Sequence, residues 1–413
     1  MKHLIILGAG TGGTLVANRM VERLDARHWT VTVVDPEVTH LYQPGLLALP
    51  FGSHDESELQ RPRGATLDPR ITWHTRSVWA VDLDARTVTL DDDSALAWDL
   101  LVIATGSGAS PERTEGLLGA GWQRNVFDFY TLDGALKLRD ALARFEAGRL
   151  VVDVVRTPIK GVTAPLEFCF LADRFFEHRG QRSNVELTLV VPGDGVFPGD
   201  VAARRLHDML TARGVRVVTG FPCAAVDGAA RRLRSADGRA LDFDLLVTIP
   251  AHAGAAYVKR SGLGDADGFV PADARSLVAH ESERVFVLGD AAALPATKVS
   301  SVVHFEAETL VDNLLRATEG RGLVGTFDGH ANCFVETGDG KAVLLDYNYD
   351  TEPAQGGRYP LPGVGPFTVL EDTRINRQGK AAYRWMYWKA LLPGKPIPVP
   401  TRLSGKPAEA GED

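Results

Sequence analysis

Three glycines and an acid carry the clearest chemistry in this chain. Gly8, Gly10 and Gly13 stand in the run Gly8-Ala9-Gly10-Thr11-Gly12-Gly13, the spacing G-x-G-x-x-G. Gly8 permits a tight turn. Gly10 lets a pyrophosphate approach backbone N–H groups at a helix N-terminus. Gly13 lets helix and strand pack closely. Asp35, 27 residues after Gly8, can accept hydrogen bonds from a ribose. Together they describe non-covalent capture of a dinucleotide. A second acid, Asp290, ends the apolar run Val285-Phe286-Val287-Leu288-Gly289, where a carboxylate can hold a cofactor's polyol. The three cysteines are Cys169, Cys223 and Cys333, too few and too scattered for a disulfide scaffold. Cys169 lies in an apolar helical stretch, and Cys223 has no charge adjacent in sequence, so both read as core residues. The eleven histidines show no ligand spacing, and no metal is expected. No G-x-S-x-G occurs, which removes serine-hydrolase chemistry.

The elements around these residues are legible. Leu4-Ile5-Ile6-Leu7 reads as a buried parallel strand, and Ala17, Met20, Val21 and Leu24 recur at helical spacing after it. Val31-Thr32-Val33-Val34 is the next strand and delivers Asp35. The segment His40 to Leu47, with Pro44 at its centre, could run over a cofactor or be an ordinary connecting loop. Residues 71–92 alternate in short runs and read as a β-hairpin or meander. Leu100 to Ile103 form another buried strand, ending in Ala104-Thr105-Gly106-Ser107, where backbone can pass close to a ligand. A helix-like run spans His304 to Leu315.

Composition bounds the class. At 413 residues the chain suggests two or three units. Hydrophobic content of 45% with 24% charge describes a soluble globular protein, and a net charge of −8 argues against general nucleic-acid binding. No apolar run reaches the roughly 18 residues needed to span a bilayer. The N-terminus enters the first strand directly, without a signal peptide, and a reducing cytoplasm is expected.

The order G-x-G-x-x-G, Asp35, Ala104-Thr105-Gly106, Gly289-Asp290 resembles the signature set of two-dinucleotide-binding-domain flavoproteins. The resemblance implies an α/β fold with two Rossmann-like domains and non-covalent FAD. Gly8, Gly10 and Gly13 would meet the pyrophosphate, Asp35 the adenosine ribose, and Val78 the adenine through its backbone. Thr105 and Gly106 would line the cofactor and Asp290 would hold the ribityl chain, with Thr11, Pro44, Ala104 and Gly289 in the same site. Members using NAD(P)H carry a second glycine-rich turn. Here the strand Leu150 to Val155 runs instead into Arg156 to Glu167, with Pro158 and Pro165 lacking N–H groups for a phosphate.

Thr157 to Phe168 is similar to a segment of the sulfide:quinone oxidoreductase and flavocytochrome c sulfide dehydrogenase family, and Phe327 to Gly338 to that family's second cysteine segment. Pro295-Ala296-Thr297-Lys298 resembles its lysine loop, and Tyr383 to Gly394 its C-terminal tail. The resemblance implies electrons passing from sulfide or another reduced sulfur compound, through a thiol and flavin, to a membrane quinone. The family uses two cysteines. Cys333 matches the second, but the first falls on Gly161. A lone thiolate cannot be reset by its lost partner. Cys333 is thus a redox thiol or a buried structural cysteine. Glu167 is a proton acceptor beside the flavin or an acid favouring a helix N-terminus. Lys298 offsets charge on reduced flavin or is simply solvated. The alternatives are a type II NADH:quinone reductase-like or other NAD(P)H-linked FAD oxidoreductase, and a catalytically impaired flavoprotein of this fold.

Residues 374–395 combine cations with Tyr383, Trp385, Tyr387 and Trp388. They suit a monotopic anchor at the inner face of the cell membrane, or a helix packed on its own chain or on a second subunit. The expected organisation is an FAD domain at 1–107 and 266–325, interrupted by a second Rossmann-like domain at 108–265. A C-terminal quinone-reductase-like segment follows at 326–400, then a disordered tail at 401–413.

Overall fold

The protein is described from a computed structural model covering residues 1–403 apart from Pro362 and Pro398. Most of the expected tail, 404–413, lies outside the described residues. The elements that position the site begin with β1 (Lys2–Leu7), α1 (Thr11–Arg23), β2 (Trp29–Val34), β3 (Thr72–His74) and β4 (Leu100–Ile103). Next come β5 (Val126–Phe127), α2 (Leu132–Arg144), β6 (Gly148–Val154), α3 (Ala164–His178), β7 (Val185–Val190), α4 (Asp200–Thr211), β8 (Arg216–Val218) and β9 (Leu245–Ile249). The chain continues through β10 (Val285–Val287), α5 (Ser300–Thr318), β11 (Ala331–Gly338), β12 (Lys341–Tyr347), β13 (Asp372–Thr373) and α6 (Arg374–Met386).

Two parallel five-stranded sheets dominate. The first has the order β10-β4-β1-β2-β3, so its edge strand returns only after the second sheet is complete. The second has the order β5-β9-β6-β7-β8. The central strands are near-continuous apolar runs because both faces are covered; Leu4, Ile5, Ile6 and Leu7 are fully buried. The expected hairpin or meander at 71–92 is met in part: Val78–Leu90 form its first two antiparallel strands and Ala95–Ala97 add a third, but Thr72–His74 pair in parallel with β2 as the edge of the first sheet. The helix after Val299 extends further at both ends than the expected run. An antiparallel sheet, β11-β12-β13, follows it, with α6 packed against β12.

The glycine loop obeys the sequence logic. Gly8 has φ +90°, and a Cβ there would sit 2.6 Å from the Ala104 carbonyl oxygen. A Cβ on Gly13 would lie 1.8 Å from the Gly8 carbonyl oxygen, so β1 and α1 approach as closely as backbone allows.

One contact against the second sheet is invisible in the local sequence. Cys223 has no charged neighbour in the chain, yet the fold brings Asp153 of β6 beside it. That carboxylate is fully buried, and among the described residues neither of its oxygens finds a hydrogen-bond partner. Packing of the antiparallel ribbon that begins at Cys223 against the second sheet makes the encounter. Burial pushes the Cys223 thiol up, and it is inert. Cys169 is fully buried in α3, as expected.

Candidate functional site

A cavity of 420 Å³ opens at the C-terminal ends of the first sheet. Gly8, Gly10 and Thr11 line one end with Asp35. Pro44, Ala104, Thr105 and Gly106 line its length, with Gly289 and Asp290. Gly161, Glu167, Lys298 and Cys333 line the other end. Gly13 stays behind the loop as a packing residue. Val78 starts a strand of the meander, pairing with Leu90, and does not line the cavity.

The loop end suits a dinucleotide. No side chain caps α1, and no acid stands in its first turn, so its leading N–H groups face the cavity unclaimed. A Cβ on Gly10 would meet nothing within 4 Å. Asp35 is locked in place: its Oδ2 accepts from Ala9 N at 2.6 Å and its Oδ1 from Glu37 N at 2.8 Å. Arg63, unremarked in the sequence, lies beneath with Nη2 3.6 Å from Asp35 Oδ1. The Gly289-Asp290 turn is held from behind by Glu306, which accepts from Gly289 N at 2.5 Å. Burial raises the Glu306 carboxyl to about 7.

Two lysine-bearing segments meet over Asp290. Lys298 is 7% exposed, which corrects the solvated reading. Its Nζ donates to the carbonyls of Asp290 (2.9 Å) and Ala292 (2.7 Å). Burial lowers its pKa while Asp290 opposes the shift. Lys160, to which the sequence assigned no role, donates to Gln43 Oε1 and Ser107 O, both at 2.8 Å, and lies 3.5 Å from Asp290 Oδ2. Gly161 N donates to Lys298 O at 2.8 Å, joining the two segments. Gly161 itself has φ +70°.

The far end brings Cys333 to Glu167. Both are buried, and burial with the Glu167 charge pushes the thiol up to about 12. Glu167 is raised chiefly by burial and held back by Lys380 of α6, with which it forms an ion pair. Lys380 also lies 3.9 Å from Glu336, itself paired with Arg377 at 2.8 Å. Cys333 is therefore both a buried residue and a cavity-wall thiol.

The C-terminal aromatics depart from the anchor expectation in part. Tyr387, Leu391 and Leu392 are buried against their own chain. Trp385 remains 65% exposed and Ile375 49%. Leu361 and Val364, in the turn of the hairpin beside α6, are also exposed. Among the described residues no helix is long and apolar enough to cross a membrane.

A family model described as pyridine nucleotide-disulphide oxidoreductase matches residues 2–309. The chain belongs to that family. It is a flavin-binding oxidoreductase of that family by this membership. The mitochondrial sulfide:quinone oxidoreductase of Dictyostelium discoideum is 24% identical over 400 residues, covering 96% of this chain and 87% of that protein. An NADH dehydrogenase-like protein of Mycobacterium tuberculosis is 27% identical over 244 residues, covering 57% of this chain and 60% of that one. The X-ray structure of the sulfide:quinone oxidoreductase from Aquifex aeolicus superposes with a TM-score of 0.77 at 19% identity, covering 96% of this chain and 92% of that one. The fold shared with that structure thus extends beyond the family match at 309 and covers nearly the whole chain.

Proposed function

We propose that the protein is an FAD-dependent oxidoreductase that takes electrons from a reduced sulfur compound and passes them to a quinone. The observation that carries this reading is one continuous cavity with a dinucleotide loop at one end and the Cys333 thiol at the other. Similarity to proteins named sulfide:quinone oxidoreductase along nearly the whole chain supports it. Gly8, Gly10 and Asp35 would hold the pyrophosphate and ribose of FAD, and Asp290 its ribityl chain. The bound flavin supplies two-electron acceptance from a sulfur donor and release to a quinone. Glu167 stands beside Cys333 and can take a sulfhydryl proton, with Lys380 favouring its charged form. Lys298 provides a fixed cation at the cavity wall, dry enough for its charge to act strongly.

NADH finds no obvious seat. The turn after β6 has no glycine cradle, and α3 begins with Pro165 in its first turn, directed at the flavin cavity itself. The N-terminus of α4 is already capped by Glu352, which accepts from Val201 N at 2.9 Å. The decisive experiment is an anaerobic titration of the purified protein with sulfide, NADH and NADPH in parallel. A yellow protein bleached by sulfide and untouched by the pyridine nucleotides is the expected result. Fast bleaching by NADH would move the protein to the NADH dehydrogenase reading. Silence toward every donor would mark an impaired flavoprotein.

Trp385, Ile375, Leu361 and Val364 are exposed, with Arg374 and Lys389 nearby in sequence. We place the membrane contact there, at the inner face. Flotation with vesicles containing anionic phosphatidylglycerol should carry the protein upward, and Trp385→Ser should cut the floated fraction several-fold. Equal flotation of both forms would remove Trp385 from the contact.

A further inference from the structure

The C-terminal segment reaches back to the glycine loop, and nothing in the flavin reading requires it to. After α6 the chain makes a single π-helical turn, Tyr387–Leu391. Tyr387 is fully buried there, its ring edge-on to Tyr42 at 4.7 Å. Its hydroxyl lies 2.9 Å from Thr11 Oγ1 and 2.6 Å from His40 Nε2. Two more ties follow along one face of α1. Asn18 Nδ2 donates to Leu392 O at 2.7 Å, and Arg19 Nε donates to Gly394 O at 3.2 Å. Thr11, Asn18 and Arg19 are spaced i, i+7 and i+8, so the segment lies along the helix from its loop end downward.

The contacts admit one relay of hydrogen bonds that ends at the cavity. In it Arg63 Nη1, 3.4 Å from His40 Nδ1, donates to that nitrogen, since a guanidinium can only donate. The ring proton of His40 then sits on Nε2, pointing at Tyr387. The Tyr387 oxygen accepts that proton's hydrogen bond and donates its own O–H to Thr11 Oγ1. The Thr11 hydroxyl, already serving as acceptor, has its hydrogen left for the cavity that Thr11 lines next to Gly10. Each link polarises the next in the same direction.

We propose that the C-terminal segment is a clamp on the dinucleotide loop, in which the chain Arg63–His40–Tyr387–Thr11 aims the Thr11 hydroxyl as a donor at a cofactor phosphate. The proposal rests on the FAD reading and names Tyr387 as a positioning residue for binding. It assigns the C-terminal segment a part in holding the cofactor as well as in contacting a membrane.

The test is FAD affinity, measured by flavin fluorescence as deflavinated protein is reconstituted. Tyr387→Phe keeps the ring and removes the hydroxyl. It should weaken FAD binding about tenfold, the usual scale for a hydrogen bond to a charged group. Thr11→Val should weaken it similarly, while Thr11→Ser should bind like wild type. The double variant Thr11→Val, Tyr387→Phe should be no weaker than either single change. Lys389→Ala, exposed on the same turn and outside the relay, should leave affinity unchanged. Wild-type affinity in Tyr387→Phe, additive losses in the double variant, or an equal loss in Lys389→Ala would each overturn the proposal alone. A wild-type protein that takes up no FAD would overturn the flavin reading, and this clamp with it.

Discussion

Exchanging Cys333 for serine is expected to slow sulfide-driven bleaching at least about a thousandfold while leaving a yellow, folded protein. The other two cysteines cannot substitute. Cys169 is sealed inside α3, and Cys223 packs beside Asp153 from a separate antiparallel ribbon; neither lines the cavity. Serine matches cysteine in shape but holds its proton far more tightly and is the poorer nucleophile. Cys333 itself is protonated at neutral pH, since burial and the Glu167 charge push it up to about 12. Its reactivity thus depends on a neighbour that can take the proton as the sulfur reacts, and Glu167 is the carboxylate in place. Stopped-flow absorbance at the flavin band checks the expectation. A serine variant that bleaches at the wild-type rate would take the protein thiol out of the electron path and leave the sulfur donor to act directly on the cofactor.

The second large effect concerns stability. Asp153 is wholly desolvated, and burial raises its carboxyl to about 7 from an ordinary value of 3.8. The folded state therefore binds this proton more tightly than the unfolded chain does. Stability associated with it is intact below pH 4, falls as pH rises from about 4 to 7, and stays low above that. A shift of about three pH units corresponds to a loss on the order of 4 kcal/mol. Thr248, its register partner on β9, offers no relief: among the described residues its hydroxyl also lacks a partner. Asp153→Asn keeps the shape and cannot ionise. Its melting temperature should track wild type at pH 4.5 and exceed it by several degrees at pH 8. A constant difference across that range would mean that Asp153 does not titrate where its surroundings imply.

The parts legible in the sequence were those written in consecutive residues. Strand, glycine turn, helix and acid follow one another within residues 2–35, and the Gly289-Asp290 turn ends its own strand, so local pattern was enough to locate them. What escaped was contact across sequence. Glu167 meets Lys380 213 residues away, and Thr11 meets Tyr387 376 residues away. Such pairs depend on the path of the whole chain, to which periodicity is blind. The same blindness made Cys223 look uncharged and left Lys298 undecided between a cation at the cofactor and a solvated side chain. The C-terminal aromatics were read by type, and type cannot tell Trp385, facing out, from Tyr387, facing in.

Gly161 bears on how many thiols the cavity can hold. The backbone there is left-handed, at φ +70°, and its N–H is committed to the Lys298 carbonyl. Any side chain at that position would carry a strain of roughly 1–2 kcal/mol. Its Cβ would meet only the Ala164 Cβ, at 3.4 Å, so the cost lies in the main chain and not in the packing. The backbone itself thus disfavours a second sulfur opposite Cys333, the one cysteine that lines the cavity among the described residues.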